Sequence, residues 1–267
     1  MVPRIVLLDR NCELTKLWRQ VLAQIPLASE TKPLVSEGTL QDFKFDEIAT
    51  PAAIVSPGNS LGFLGGGFDL ALREFFGGLP FERFFRQTLQ EVYRPVMVAT
   101  PVPLQLWAKG GFEYIIHVPT VVEPSAKVCF NEEGSRPSHR PVFDAMWSAL
   151  NSIPTSVKTL VVPGLCTGYA GVPIDKSCQA MWFAISLFYA KRYISSRLLN
   201  VLILRFLGYS YEAFYDLDGL EEECHEVGLN LAQICEFDIN ESLLTDMIPK
   251  IDISKTSYTR GPNSSSI

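Results

Sequence analysis

Between Ile54 and Asp69 the chain reads Ile-Val-Ser-Pro-Gly-Asn-Ser-Leu-Gly-Phe-Leu-Gly-Gly-Gly-Phe-Asp, and few folds accommodate such a segment. The apolar run from Ala52 to Ser56 fits a buried strand and stops at Pro57-Gly58-Asn59. A loop rich in glycine follows. Asp69 then opens a stretch to Phe76 with helical spacing, closed by Gly77-Gly78. The order is strand, glycine loop, helix N-terminus. Glycines let backbone N–H groups come close to a ligand, and the first turn of a helix favours an anion. A diphosphate suits that combination, and the carboxamide of Asn59 and the carboxylate of Asp69 stand beside it.

The rest of the chain has the same grammar. Ile5–Leu8, Leu34–Val35, Ala52–Ser56, Pro95–Thr100, Phe112–Val118, Thr159–Val162 and Asn200–Phe206 read as strands. Helices are expected over Glu13–Gln24, Asp69–Phe76, Phe81–Tyr93, Val142–Asn151, Ile174–Tyr193 and Leu217–Glu236, with a polar loop over Glu123–Pro141. Strands that alternate with helices and are apolar throughout belong to a layered α/β fold with a parallel or mixed sheet. One domain over residues 1–250 and a disordered tail over 251–267 are expected.

Bulk properties narrow the function. Of 267 residues 47% are hydrophobic and 19% charged, enough for a substantial core. The net charge of -6 argues against holding nucleic acid by an overall field. No uncharged apolar run reaches the ~20 residues of a membrane span. Arg4 and Asp9 interrupt any secretory leader, and the six cysteines form no Cys-x-x-Cys pair, so an intracellular, reducing compartment is expected. His139 and His225 lack metal-ligand spacing, and neither metal nor cofactor is expected.

A second loop, Pro163-Gly-Leu-Cys-Thr-Gly-Tyr-Ala-Gly-Val-Pro173, also joins a buried strand to a helix. In such sheets ligands sit beyond the carboxyl ends of the strands, so two such loops flank one extended ligand. Neither has the spacing of a P-loop or of a dinucleotide fingerprint.

With both loops in view, the chain resembles a macrodomain, the family that binds ADP-ribose. Ser56-Pro57-Gly58-Asn59 followed by Gly65-Gly66-Gly67-Phe68-Asp69 resembles the family's Asn-Ala-Ala-Asn and Gly-Gly-Gly segment, in the variant of its divergent Ser-Pro-Gly-Asn branch. Asn59 and Asp69 are ten positions apart, as in the hydrolytic branch. Tyr114-Ile-Ile-His117 is similar to the family's Tyr-Val-Ile-His strand, and Gly164 to Pro173 to its second loop. The likeness is strongest over residues 1–215. It implies a three-layer α/β/α macrodomain-like fold with a mixed central sheet, and ADP-ribose or an ADP-ribosylated protein as partner.

The resemblance also implies roles. Asn59 would hydrogen-bond the distal ribose, and Asp69 would orient the water that attacks the anomeric side. Ser56, Pro57, Gly58, Gly65, Gly66, Gly67 and Phe68 would line the diphosphate and distal ribose. Gly164, Leu165, Cys166, Thr167 and Gly168 would hold the other phosphate, and Tyr169 would face the ribose. Thr39 stands where the family's adenine-reading aspartate is expected, with Asp9, Asp42 and Asp46 as nearby carboxylates. Three readings follow: a hydrolase of protein mono-ADP-ribose or O-acetyl-ADP-ribose, a reader that binds without cleaving, and a phosphatase of ADP-ribose 1''-phosphate.

Overall fold

The structure is a computed structural model and describes residues 2–23, 32–124, 139–209 and 219–251. These residues form two compact units, one of residues 2–23, 32–124 and 139–185, the other of residues 186–209 and 219–251. The first carries strands β1 (Arg4–Asp9), β2 (Leu34–Glu37), β3 (Ala52–Ser56), β4 (Thr100–Pro103), β5 (Phe112–His117) and β6 (Thr159–Val162). They make one sheet in the order β2-β1-β6-β3-β5-β4. All neighbours are parallel except β4, which runs antiparallel to β5. The mixed α/β sheet expected from the alternating runs is present.

Helices α1 (Cys12–Leu22), α2 (Gly67–Phe76), α3 (Leu79–Thr88), α4 (Arg140–Asn151) and the start of α5 (Ile174–Ala190) cover the sheet. Crossovers between parallel strands are right-handed. The step from β1 to β2 and that from β5 to β6 run one way along the sheet, and the step from β3 to β5 runs the other. Helices α1 and α4 therefore lie on the face opposite α2 and α3. On the α2/α3 face, Val6, Leu8, Ala52, Ile54, Phe112, Ile115 and Val161 pack with Leu72, Phe76, Phe81 and Phe85. The alternate residues Ile5, Leu7, Ala53, Val55, Leu160 and Val162 are as fully buried. Strands covered on both sides must be apolar throughout, as these are.

Several elements differ from the sequence reading. Pro95–Thr100 is not a strand. The edge strand starts only at Thr100, and Gln90, Glu91 and Met97 before it adopt left-handed backbone conformations. Those residues also end α3 at Thr88 instead of near Tyr93. Pro101 and Pro103 are tolerated in β4 because it is an edge. Asn200–Phe206 is helical, within α6 (Ser196–Phe206) of the second unit. Ser195 caps it by accepting from the Leu198 N–H at 3.1 Å, and Leu198, Val201, Leu202 and Phe206 form one buried stripe. The helix expected over Leu217–Glu236 is two, α7 (Leu220–Glu226) and α8 (Leu231–Glu236). Gly228 turns between them at φ 67° and Asn230 caps the second. The expected tail and most of the 123–141 loop lie outside the described residues. No helix among the described residues is long and apolar enough to cross a membrane.

Candidate functional site

The parallel strands of the first unit end on one side. The segments that follow β1, β2, β3, β5 and β6 surround a cavity of about 440 Å³ there, within the ordinary size of a small-molecule site. Its wall includes Pro57, Gly58, Asn59, Gly65, Gly66, Gly67, Phe68 and Asp69 from the first glycine loop, and Gly164, Cys166, Thr167, Gly168 and Tyr169 from the second. Ser56 and Leu165 are not in the wall. Leu165 points into the core and Ser56 lies beneath the wall, both fully buried.

The first loop is held by its own polar groups. Asn59 Nδ2 donates to the Phe63 carbonyl at 2.7 Å, and Asn59 Oδ1 accepts from the N–H groups of Leu61 at 3.1 Å and Phe63 at 3.3 Å. The carboxamide thus folds the loop and keeps one N–H uncommitted. Thr120, after β5, donates from its backbone to the Gly58 carbonyl at 2.8 Å and from its hydroxyl to the Pro57 carbonyl at 2.9 Å. Leu64 N–H donates to Glu82 of α3 at 3.0 Å. A parallel bridge between Asn59 and Val121 prolongs the β3–β5 pairing to the cavity edge.

Asp69 sits in the first turn of α2 and is buried, 6% exposed. Its Oδ1 accepts from the Ser56 hydroxyl at 2.8 Å, and that hydroxyl lies 3.3 Å from His117 Nδ1. The sheet register places Ser56 beside His117, so both face the α2/α3 side where Asp69 stands. Burial raises the Asp69 pKa to about 7, against the opposing Ser56 hydrogen bond. A helix N-terminus stabilises a carboxylate by ~0.3–1 kcal/mol, whereas a shift of this size is on the order of 4 kcal/mol at 1.4 kcal/mol per unit. Desolvation wins. Burial likewise lowers His117 to about 4. The nearby Asn59 backbone opposes this, and the charge of Arg94 adds to it. Among the described residues, His117 Nε2 has no hydrogen-bond partner.

Two glycines are required by close approach. A Cβ on Gly58 would stand 2.8 Å from Asp69 Oδ2 and 2.9 Å from His117 Cε1. The bare backbone there roofs the Asp69–Ser56–His117 cluster. A Cβ on Gly164 would meet Leu14 Cδ2 at 2.6 Å and Asp9 Oδ2 at 2.8 Å. Asp9 ties the second loop to the start of α1: Oδ2 accepts from the Gly164 N–H at 3.0 Å and Oδ1 from the Asn11 N–H at 2.9 Å. Asp9 lines the cavity, while Asp42 and Asp46 do not. Asp42 instead accepts from the Thr39 hydroxyl at 2.7 Å and its N–H at 3.3 Å, which hold the Asp42 pKa below the usual carboxylate range. Tyr169 is more than half exposed, and its ring lies 3.6 Å from where a Gly66 Cβ would stand, so it leans from the second loop across the first.

Sequence reasoning missed Arg10, Gln41, Phe63, Thr120 and Val121 in the wall, and the part of His117 beneath it. Among the described residues, Arg10 is the one cationic side chain in the wall. An anion there would therefore be met mainly by backbone N–H groups and the N-terminus of α2. No cluster of three or more His, Cys, Asp or Glu suited to a metal occurs among the described residues.

A model of the macro-like domain family matches residues 2–255. The chain is 30% identical over 128 residues to an uncharacterized protein of Aquifex aeolicus (strain VF5), covering 48% of this chain and 68% of that protein. Among solved structures it is similar to an Oceanobacillus iheyensis macrodomain with MES bound, with 18% identity and a TM-score of 0.40 over 51% of this chain and 68% of that one. It is also similar to a protein of unknown function from Bacteroides thetaiotaomicron, with 20% identity and a TM-score of 0.36 over 51% and 81%. The macrodomain fold generally binds ADP-ribose. With the family model spanning nearly the whole chain, the protein belongs to the macro-like domain family.

Proposed function

We propose that the first unit binds ADP-ribose in this cavity and hydrolyses an ADP-ribosyl conjugate, a mono-ADP-ribosylated protein side chain or O-acetyl-ADP-ribose. The observation that carries the reading is Asp69. It is a buried carboxyl at the cavity wall with a pKa pushed up to about 7. A group that titrates near the working pH can take a proton from attacking water and return it to the leaving group. Such assistance contributes about 100- to 10,000-fold.

The neighbouring groups have separate tasks. The Ser56 hydroxyl fixes the rotamer of the Asp69 carboxyl. His117, held neutral, shares that hydroxyl and adds no positive charge to the cluster. Gly65, Gly66 and Gly67 leave room for a diphosphate at the α2 N-terminus, and Gly164, Thr167 and Gly168 face it from the other loop. Asn59 shapes the loop and offers its remaining N–H to the distal ribose. Tyr169 closes the ribose end.

A reader that binds without cleaving is the second reading, and the three hydrogen bonds that tie Asn59 to its own loop favour it. Asp69→Ala separates the two. The hydrolase reading expects ADP-ribose affinity within about tenfold of wild type and turnover down by about 100-fold or more. Turnover that survives this substitution rejects the assignment, and appearance of free phosphate from ADP-ribose 1''-phosphate would redirect it to a phosphatase.

A further inference from the structure

Exposed apolar side chains gather beside the cavity. Leu61, Phe63, Val92, Tyr93, Val98 and Val122 are each between 43% and 55% exposed. They come from three segments knitted by backbone hydrogen bonds. Ser60 N–H donates to the Val121 carbonyl at 3.1 Å and to that of Val122 at 3.2 Å. Arg94 N–H donates to Ser60 at 2.8 Å, and Met97 N–H to Pro119 at 2.8 Å. The patch is continuous with the binding cavity, because Phe63 also lines its wall, as does buried Val121 beside Val122. Apolar surface gathered in this way marks an interaction site.

The backbone there is unusual. Gln90, Glu91 and Met97 hold left-handed conformations with φ of 60°, 52° and 62° in the segment that presents Val92, Tyr93 and Val98. Non-glycine residues are strained in that region, and such residues cluster where function needs them.

Charge names the occupant. Arg86 stacks on the Phe63 ring at 3.9 Å, and Arg83 lies one turn earlier on the same stripe of α3. Arg94, from the strained segment, is turned inward and donates to the Leu89 carbonyl at 2.8 Å, so it does not join them. Neither Arg83 nor Arg86 pairs with a carboxylate among the described residues. In a chain of net charge -6, this is an apolar ridge flanked on its α3 side by two guanidinium groups. We propose that the ridge docks the protein segment that carries the ADP-ribosyl group, and that this segment is acidic with interspersed apolar residues. The proposal rests on the ADP-ribose reading of the adjoining cavity and specifies its substrate as a modified acidic peptide rather than a free small molecule.

The test measures binding of three probes: free ADP-ribose, an acidic peptide carrying ADP-ribose through an uncleavable linkage, and the same peptide with lysine in place of its acidic residues. Wild type should bind the acidic conjugate at least tenfold more tightly than free ADP-ribose, and the lysine version without that gain. The double variant Tyr93→Ser/Val98→Ser and the single variant Arg83→Glu should each lose most of the gain while binding free ADP-ribose within twofold of wild type. Equal binding of all three probes would overturn the docking proposal alone. No binding of free ADP-ribose by wild type would overturn the functional reading and the proposal with it. Cosedimentation with phosphatidylserine vesicles, or a dimer in light scattering, that is lost in the double variant would overturn it in favour of a membrane or a second copy.

Discussion

At the scale of single residues, the site is governed by what burial does to two ionisable groups. Asp69 would ionise near 3.8 in an unfolded chain and near 7 in the folded one. As pH rises from about 4 to 7, the unfolded state gives up this proton first, and the folded state loses the stability that the protonated carboxyl contributed. His117 has the opposite sign. Its folded pKa of about 4 lies below the ordinary histidine value of 6.5, so its contribution is present above about 6.5 and is lost as pH falls toward 4. Asp69→Asn keeps an oxygen for the Ser56 hydroxyl and removes the cost of a buried charge. It should stabilise the protein at pH 8 by about 2–4 kcal/mol, with a gain that shrinks as pH falls toward 5. Denaturant melts of both proteins at the two pH values check this. A variant less stable than wild type at pH 8 would mean that the carboxylate is well solvated or paired.

At the scale of elements, two strand–loop–helix units supply most of the cavity wall, and Asp9 holds the second loop to the start of α1. Gly164→Ala puts a methyl against the Leu14 and Asp9 side chains. Overpacking of this kind costs about 1–3 kcal/mol, and the loop must move to relieve it. The expected outcome is a lower melting temperature together with at least tenfold weaker ADP-ribose binding. Unchanged binding would show that the second loop does not contact the ligand. Both loops were legible in the sequence because glycine punctuation and apolar runs are local signals. The Ser56–His117 contact was not, because sheet register joins residues 61 positions apart. Thr120 reaches Pro57 across a similar separation, and Arg10 and Gln41 enter the wall by the same route from β1 and β2. The run from Asn200 to Phe206 misled for a different reason. Short apolar runs have no period of their own, and the cap at Ser195 was the signal that a helix began there.

At the scale of the whole molecule, the cavity belongs to the first unit, and the described residues that line it all come from there. The net charge of -6 repels a diphosphate at long range. Binding must therefore come from short-range donors, the N–H groups of the two loops and Arg10. The central claim is that one cavity holds ADP-ribose against a carboxyl poised near neutrality. The carbon NMR signal of the Asp69 carboxyl, followed from pH 4 to 9 with and without saturating ADP-ribose, tests this directly. A midpoint near 7 in the free protein, moved upward by the bound diphosphate, is the predicted result. A midpoint near 4, or one that saturating ADP-ribose leaves in place, would contradict the account.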